Sequence, residues 1–275
     1  MNAMKQALLA TYYYGSLPFR QWSNAQAARA GNAPVMVLFY HRVADDRPND
    51  WTLSTKQFER QLNWLLPRFD LVSLEEAQAR IRAGANARPA VSITFDDGYA
   101  DNCRFALPLL IRHRVPCTYF VSVHNVSTGK PFPHDAAEAQ PPRPNSIDEL
   151  KTLADHNVEI GSHTRNHVDL GRVADPARIH DEVVAAGHDL AKLLGRPVRY
   201  FAFPYGLREN LNRQAFDLAQ EAGYVGVCSA YGGYNFPGDD AFHLRRIHGD
   251  SQWVRWKNWL AVDPRKVRGR QRGER

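Results

Sequence analysis

Val35-Met36-Val37-Leu38-Phe39-Tyr40 is an unbroken apolar run that ends on one polar side chain, His41. A strand with a wet face alternates; one with no polar position over its length is buried on both faces, as in parallel sheets covered by helices. Shorter β-type runs follow at 69–73, 91–95, 118–123, 158–160, 200–203, 224–228 and 244–247. Between them apolar residues recur at helical spacing, as in Phe58, Leu62, Leu65 and Leu66, in Ala106, Leu109, Leu110 and His113, and in Val183, Ala186, Leu190 and Leu193. Thr55 is expected to cap the first of these helices and Pro67 to end it, and Asp175-Pro176 to open the last. This alternation predicts a parallel sheet with crossover helices. No G-x-G-x-x-G follows the first strand, which favours a closed (β/α) barrel over an open dinucleotide-binding sheet.

The 275 residues, 44% hydrophobic and 23% charged, suit one large domain with a sizeable core and exclude general disorder. The longest apolar run, Ala33 to Tyr40, is too short to span a bilayer. Three cysteines, Cys103, Cys117 and Cys228, make neither a disulfide scaffold nor a thiolate zinc site. The net charge of +6 is concentrated in the tail, where Pro264 to Arg275 hold six Lys/Arg against one Glu. The body is nearly neutral, so no nucleic-acid partner is expected. The chain divides into an N-terminal arm or helix (1–33), a barrel domain (34–263) and a basic, disordered tail (264–275). The arm is rich in aromatics and is expected to lie on the body or on a membrane surface rather than to be a cleaved leader. One stretch, His124 to Asn145, has five prolines and no periodicity. It follows a strand and reads equally as a floppy insertion or as a loop at the active-site mouth.

In a barrel of this kind chemistry sits where strands end. Val91-Ser92-Ile93-Thr94-Phe95 ends at Asp96-Asp97-Gly98, and Val158-Glu159-Ile160 leads to Gly161-Ser162-His163, with His167 four residues on. The other Asp-Asp pairs, Asp45-Asp46 and Asp239-Asp240, lie in Pro/Gly-flanked loops and read as solvated turns. Two carboxylates at a strand end repel unless a cation or a shared proton intervenes. A histidine pair at a spacing that suits one side of a helical turn supplies further ligands, and one Asp with two His makes a three-ligand site open to water or substrate.

Thr94-Phe95-Asp96-Asp97-Gly98 and Ser162-His163-Thr164-Arg165-Asn166-His167 resemble the first two motifs of the polysaccharide deacetylases, the NodB-homology or carbohydrate esterase family 4 enzymes. Phe203-Pro204-Tyr205-Gly206 resembles part of the third, and Phe39-Tyr40-His41-Arg42-Val43 is similar to the Tyr-His-x-Val signature of one branch. The resemblance covers roughly Pro34 to Ser251. It implies a distorted (β/α)7-type barrel in one domain and metal-dependent removal of N- or O-acetyl groups from sugars. Carried over by position, Asp97, His163 and His167 are the metal ligands, Asp96 is the general base, and the Tyr205 backbone N–H faces the oxyanion. A carboxylate on the metal has its lone pairs engaged, while its neighbour stays free to take a proton from water that the cation acidifies.

The departing amine needs a general acid. His41 is the first choice in this branch, with His248 the alternative. Much of the family begins its third motif with an Arg that orients the base; here the aligned residue is Ala202, and Arg245 or Arg246 is expected to reach Asp96 instead. Trp253, Trp256 and Trp259 would form a stripe on a helix, read first as core packing. Tyr99 and Asp169 are candidate supporting or substrate contacts.

The leading expectation is thus a metal-dependent hydrolase acting on an acetylated saccharide, with one divalent ion. Zinc comes first for a His/His/Asp set, ahead of cobalt, manganese, nickel or iron. Two alternatives remain at this point: a metal-dependent amidase on a non-sugar amide or imide, and an inactive carbohydrate-binding module, which only the missing Arg favours. Unpaired cysteines point to the cytoplasm, with peripheral docking on the inner membrane face through the arm or tail as a variant and the periplasm behind both.

Overall fold

Strand β1 (Val35–Tyr40) pairs in parallel with β5 (Ala90–Phe95) along its whole length, and all twelve residues are buried. The computed structural model describes residues 3–268. Between these two strands lie β2 (Arg42–Val43), β3 (Thr52–Leu53) and β4 (Asp70–Leu71). After them come β6 (Cys117–Val121), β7 (Val158–Ser162), β8 (Tyr200–Ala202), β9 (Gly226–Cys228), β10 (His243–Leu244) and β11 (Arg246–His248). The helices are α1 (Ala3–Arg29), α2 (Thr55–Leu65), α3 (Leu74–Arg82), α4 (Ala106–Arg112), α5 (Val123–Thr128), α6 (Ile147–Asp155), α7 (Pro176–His180), α8 (Ala186–Leu194), α9 (Arg213–Glu221), α10 (Trp253–Leu260) and α11 (Pro264–Arg268).

The main sheet runs β10-β9-β8-β7-β6-β5-β1-β11, all parallel, with β4 added beside β5. Its two edge strands are consecutive in the chain, separated only by Arg245. The stretch His243–His248 pairs with β9 through its first half and with β1 through its second. Counting that stretch once, seven strands curl round a common core, as the distorted (β/α)7 expectation requires. No continuous ladder closes the ring; a single strand that changes partners at Arg245 brings its edges together.

Local chemistry explains the helix boundaries. Ser54 caps α2 in a capping box with Gln57, one residue before the expected Thr55, because either hydroxyl suits a cap and Ser54 is the one with extended backbone. Phe58, Leu62 and Leu65 are the buried stripe of that helix. Asp175 caps α7 with Pro176 at its first position, as expected. Trp253, Trp256 and Trp259 do lie along α10; Trp256 is fully buried and Trp253 and Trp259 pack against the core.

Three expectations are corrected. The segment 124–145 is not wholly irregular, since α5 occupies its start. The tail begins as a short helix, α11, and its remaining residues, 269–275, lie outside the described residues. Asp45 and Asp46 lie exposed in a bend, as expected, but the Asp239 side chain is buried rather than solvated. Asp45 accepts from the Thr55 backbone N–H, and Asp46 pairs with the fully buried Arg42, whose Nε also donates to Asp101 at 2.6 Å. Asp239 accepts from Arg245 at 3.1 Å.

Candidate active site

The strand ends bring Asp96, Asp97, His163 and His167 to one void. Two consecutive side chains on an extended strand point to opposite faces. Here the strand stops at Phe95, and Asp97 turns into the left-handed region (φ +73°), so both carboxylates reach the same space. Gly98 follows at φ +103°, with Val121 and Val126 close to where a Cβ would stand. His163 follows β7 directly. His167 arrives by a different route from the one expected, because residues 163–167 form no helical turn. Thr164 (φ +62°) and His167 (φ +54°) are left-handed instead. Glu182 fixes this loop: its carboxylate accepts from the Asn166 backbone N–H and from Asn166 Nδ2, both at 2.8 Å. Glu182 sits in a π turn (Asp181–Ala185) between α7 and α8, a distortion often found at functional sites. Asp97, His167 and Tyr205 are three of the eight non-glycine residues with positive φ among those described, and such strain concentrates where the surroundings hold a site in place.

The donor set fits a cation. His163 Nδ1 lies 2.8 Å from the Ala202 carbonyl, so that nitrogen carries the proton and Nε2 carries the lone pair. Nε2 then faces Asp97 Oδ1, another acceptor, at 3.5 Å, and His167 Nε2 stands 3.1 Å from the same oxygen. The three ligand atoms lie within 4.8 Å of one another, and Asp97 Oδ1, although buried, accepts no hydrogen bond. Separations of this size are what a tetrahedral ion with bonds of about 2.1 Å would span. Burial pushes the Asp97 carboxyl up, but the facing imidazoles outweigh it and hold the group ionised.

Asp96 stands apart from this cluster and belongs to Arg246. Arg246 Nη1 donates to Asp96 Oδ1 at 2.6 Å, Nη2 donates to Oδ2 at 2.9 Å, and Nε donates to the Ser229 carbonyl. The guanidinium lies between the Phe39 and Phe120 rings, 4.9 and 5.4 Å from their centroids. Desolvation raises the Asp96 pKa; the Arg246 charge more than offsets it, so the carboxylate stays ionised in a dry setting. Of the two arginines expected here, Arg246 makes the contact and Arg245 does not, turning to Asp239 and the Tyr234 carbonyl.

His41 and His248 end adjacent strands, their ring centroids 6.1 Å apart. Burial lowers the His248 pKa to about 4. The His41 carbonyl accepts from Asn102 Nδ2 at 2.7 Å, and Asn102 Oδ1 accepts the Val43 N–H, so one amide clamps the segment that carries His41. The Tyr205 ring is exposed and leans on His167, with centroids 5.2 Å apart. Asp169 instead caps the turn at Leu170–Arg172.

Sequence reading missed His134. The proline-rich loop carries it to the mouth, where its ring lies 5.3 Å from His167 and 5.7 Å from Trp51 and stacks on Phe132. Tyr99 Oη donates to the buried Asp135 at 2.7 Å and lies 2.7 Å from His134 Nε2, which must then be the donor to Tyr99. A loop without periodicity gave no signal for these contacts. A cavity of about 470 Å³ lies elsewhere, lined by Pro116, Cys117, Val158 and Arg199 near the opposite ends of the strands.

These features define a class: a barrel-like parallel sheet with an Asp/His/His set able to hold a cation and a separately clamped carboxylate at its strand ends. Residues 83–227, just over half of the chain, match the polysaccharide deacetylase family, and the chain belongs to it. YxkH of Bacillus subtilis (strain 168) is 25% identical over 204 residues, which cover 73% of this chain and 66% of that one. The chitooligosaccharide deacetylase of Bradyrhizobium sp. (strain ANU 289) is 30% identical over 120 residues, 43% of this chain and 47% of that one. The chain thus spans about two thirds and about half the length of these relatives. Among solved structures, the Streptococcus pyogenes deacetylase PplD in complex with acetate superposes with a TM-score of 0.69 at 19% identity, covering 85% of this chain and all of that one. IcaB from Ammonifex degensii gives 0.68 at 22%, covering 84% and 98%. At these identities the two structures speak for the fold.

Proposed function

We propose that this protein removes acetyl groups from N-acetylated sugars by metal-dependent hydrolysis. The observation that carries the reading is the split between neighbours. Asp97 joins His163 and His167 in a cation-binding set, while Asp96 is kept out of it by Arg246 and keeps spare lone pairs on both oxygens. A divalent ion held by Asp97, His163 and His167 would polarise the acetamide carbonyl and acidify water. Asp96 takes the proton from the attacking water. The Tyr205 N–H, on a strained turn beside His167, faces the carbonyl oxygen as negative charge develops. His41 gives a proton to the departing amine; His248, with its pKa pushed down to about 4, is neutral at physiological pH and unsuited to that task. Zinc is the metal proposed for a His/His/Asp set. An arginine on β11 takes the place left by Ala202, which removes the one sequence feature favouring an inactive module.

The chitooligosaccharide deacetylase relative supports an N-acetylglucosamine-type substrate, and the acetate bound by PplD is the product this reaction would give. The test is acetate release from a panel of acetylated saccharides and small amides, with chelator as control. Asp96→Asn should keep a stoichiometric divalent ion and lose turnover by about 10²–10⁴-fold. Wild-type turnover in that variant would remove Asp96 from the base role. Release from small amides alone would transfer the protein to a non-sugar amidase.

A further inference from the structure

Helix α1 is fastened to the body on one face and exposes an apolar stripe on the opposite one. Tyr13 and Arg20 are buried, Tyr12 Oη donates to Asp263 at 3.0 Å, Arg20 Nη1 donates to Asn258 Oδ1 at 2.9 Å, and Asn24 Nδ2 donates to the Ala261 carbonyl at 3.2 Å. The outer face of a surface helix is ordinarily polar. Here Met4, Leu8, Phe19 and Trp22 are 69, 65, 64 and 60% exposed. With 3.6 residues per turn these four fall within about 60° of one another, and Thr11 and Gly15 fill the stripe between them. The Phe19 and Trp22 rings adjoin, with centroids 6.0 Å apart. Five of the nine large apolar side chains exposed among the described residues belong to this one helix, a concentration that marks an interaction surface.

Charge selects the occupant. No Asp or Glu precedes Asp45, so α1 carries no acid at all. Cations flank it instead: Lys257 lies 5.2 Å from the Tyr14 ring centroid, and Arg265 lies 3.9 Å from that of Tyr12. Arg265 opens the stretch richest in positive charge, so that stretch begins beside α1. An aromatic-aliphatic stripe without acids, bordered by Arg and Lys, complements a bilayer surface with anionic headgroups: the apolar residues enter the acyl boundary and the cations meet the negative potential. Among the described residues no helix is long and apolar enough to cross a membrane. We propose that α1 lies in the interface of an anionic membrane as a preformed docking helix, with the cations beside it, Lys257 and Arg265, meeting the headgroups.

The inference stands independently of the hydrolytic reading, and its test separates the two. Full-length protein is sedimented with vesicles of phosphatidylcholine alone or of phosphatidylcholine mixed with phosphatidylglycerol. The expected result is pelleting with the anionic vesicles only, weakening as salt is raised. Leu8→Ala/Phe19→Ala/Trp22→Ala removes apolar area while keeping helix propensity and should lower the partition coefficient about tenfold or more, with thermal melting and acetate release from a soluble saccharide unchanged. The proposal falls if wild-type protein stays in the supernatant with anionic vesicles, or if the triple variant pellets as well as wild type. It falls equally if vesicles leave the protein in solution while size-exclusion chromatography shows a dimer that the triple variant dissolves, which would make the stripe a contact between copies.

Discussion

Arg246 reaches Asp96 from the strand on the far side of β1, and the two meet as a planar, two-pronged ion pair with Thr94 Oγ1 accepting from the same guanidinium at 3.1 Å. Both side chains are buried. Such a pair is geometrically exacting, since the fork fixes the carboxylate plane as well as its charge.

Arg246→Ala should therefore act twice. It leaves a buried carboxylate without a counter-charge, which costs about 3–5 kcal/mol of stability. It also lets burial raise the Asp96 pKa, so the base takes up a proton at higher pH. The acidic limb of the pH profile of kcat/KM should move upward, and Arg246→Lys should fall between wild type and Ala because it keeps charge and loses the fork. A pH profile unmoved in either variant would detach Arg246 from the base.

His41→Ala should lower kcat by about 10²–10⁴-fold if it supplies the leaving-group proton, while His248→Gln should keep most turnover. His248 also predicts a pH dependence of stability. Its folded pKa of about 4 lies below an unfolded value of about 6.5. Between these values the unfolded chain binds more protons, so stability rises with pH across the window and is lost on acidification. Thermal melts at stepped pH should show a flatter slope for His248→Gln than for wild type.

His134 packs against His167 and Trp51 and hydrogen-bonds to Tyr99 rather than to Asp96 or Asp97, so His134→Ala should raise KM for a saccharide several-fold with kcat little changed. Steady-state kinetics on a soluble substrate reads this directly. An equal fall in kcat would place His134 in the chemistry.

A Cβ at Gly249 would stand 2.1–2.6 Å from ring atoms of Tyr40, itself wedged against Phe58 and Phe95. Gly249→Ala should cost about 1–3 kcal/mol through overpacking. Because Gly249 follows His248 and Tyr40 precedes His41, activity should fall with it; urea titration measures the first effect and acetate release the second.

Sequence legibility followed burial. The runs at 35–40 and 91–95 were readable because strands covered on both faces leave no polar position to confuse them. The clustering of Asp97, His163 and His167 was readable because strand ends carry chemistry in barrels. The choice between Arg245 and Arg246 stayed open, since which of two neighbours faces inward depends on where a short strand changes partners. Glu182 escaped notice because its role depends on a π turn that ordinary helical periodicity hides. His134 escaped because prolines erase the pattern by which loops are placed.

The strand that changes partners at Arg245 has a consequence for the base. Its second half delivers Arg246 to Asp96 and His248 to His41, so the last wall of the ring and the counter-charge of Asp96 arrive together. A chain that ended before Arg246 would leave Asp96 without its counter-charge.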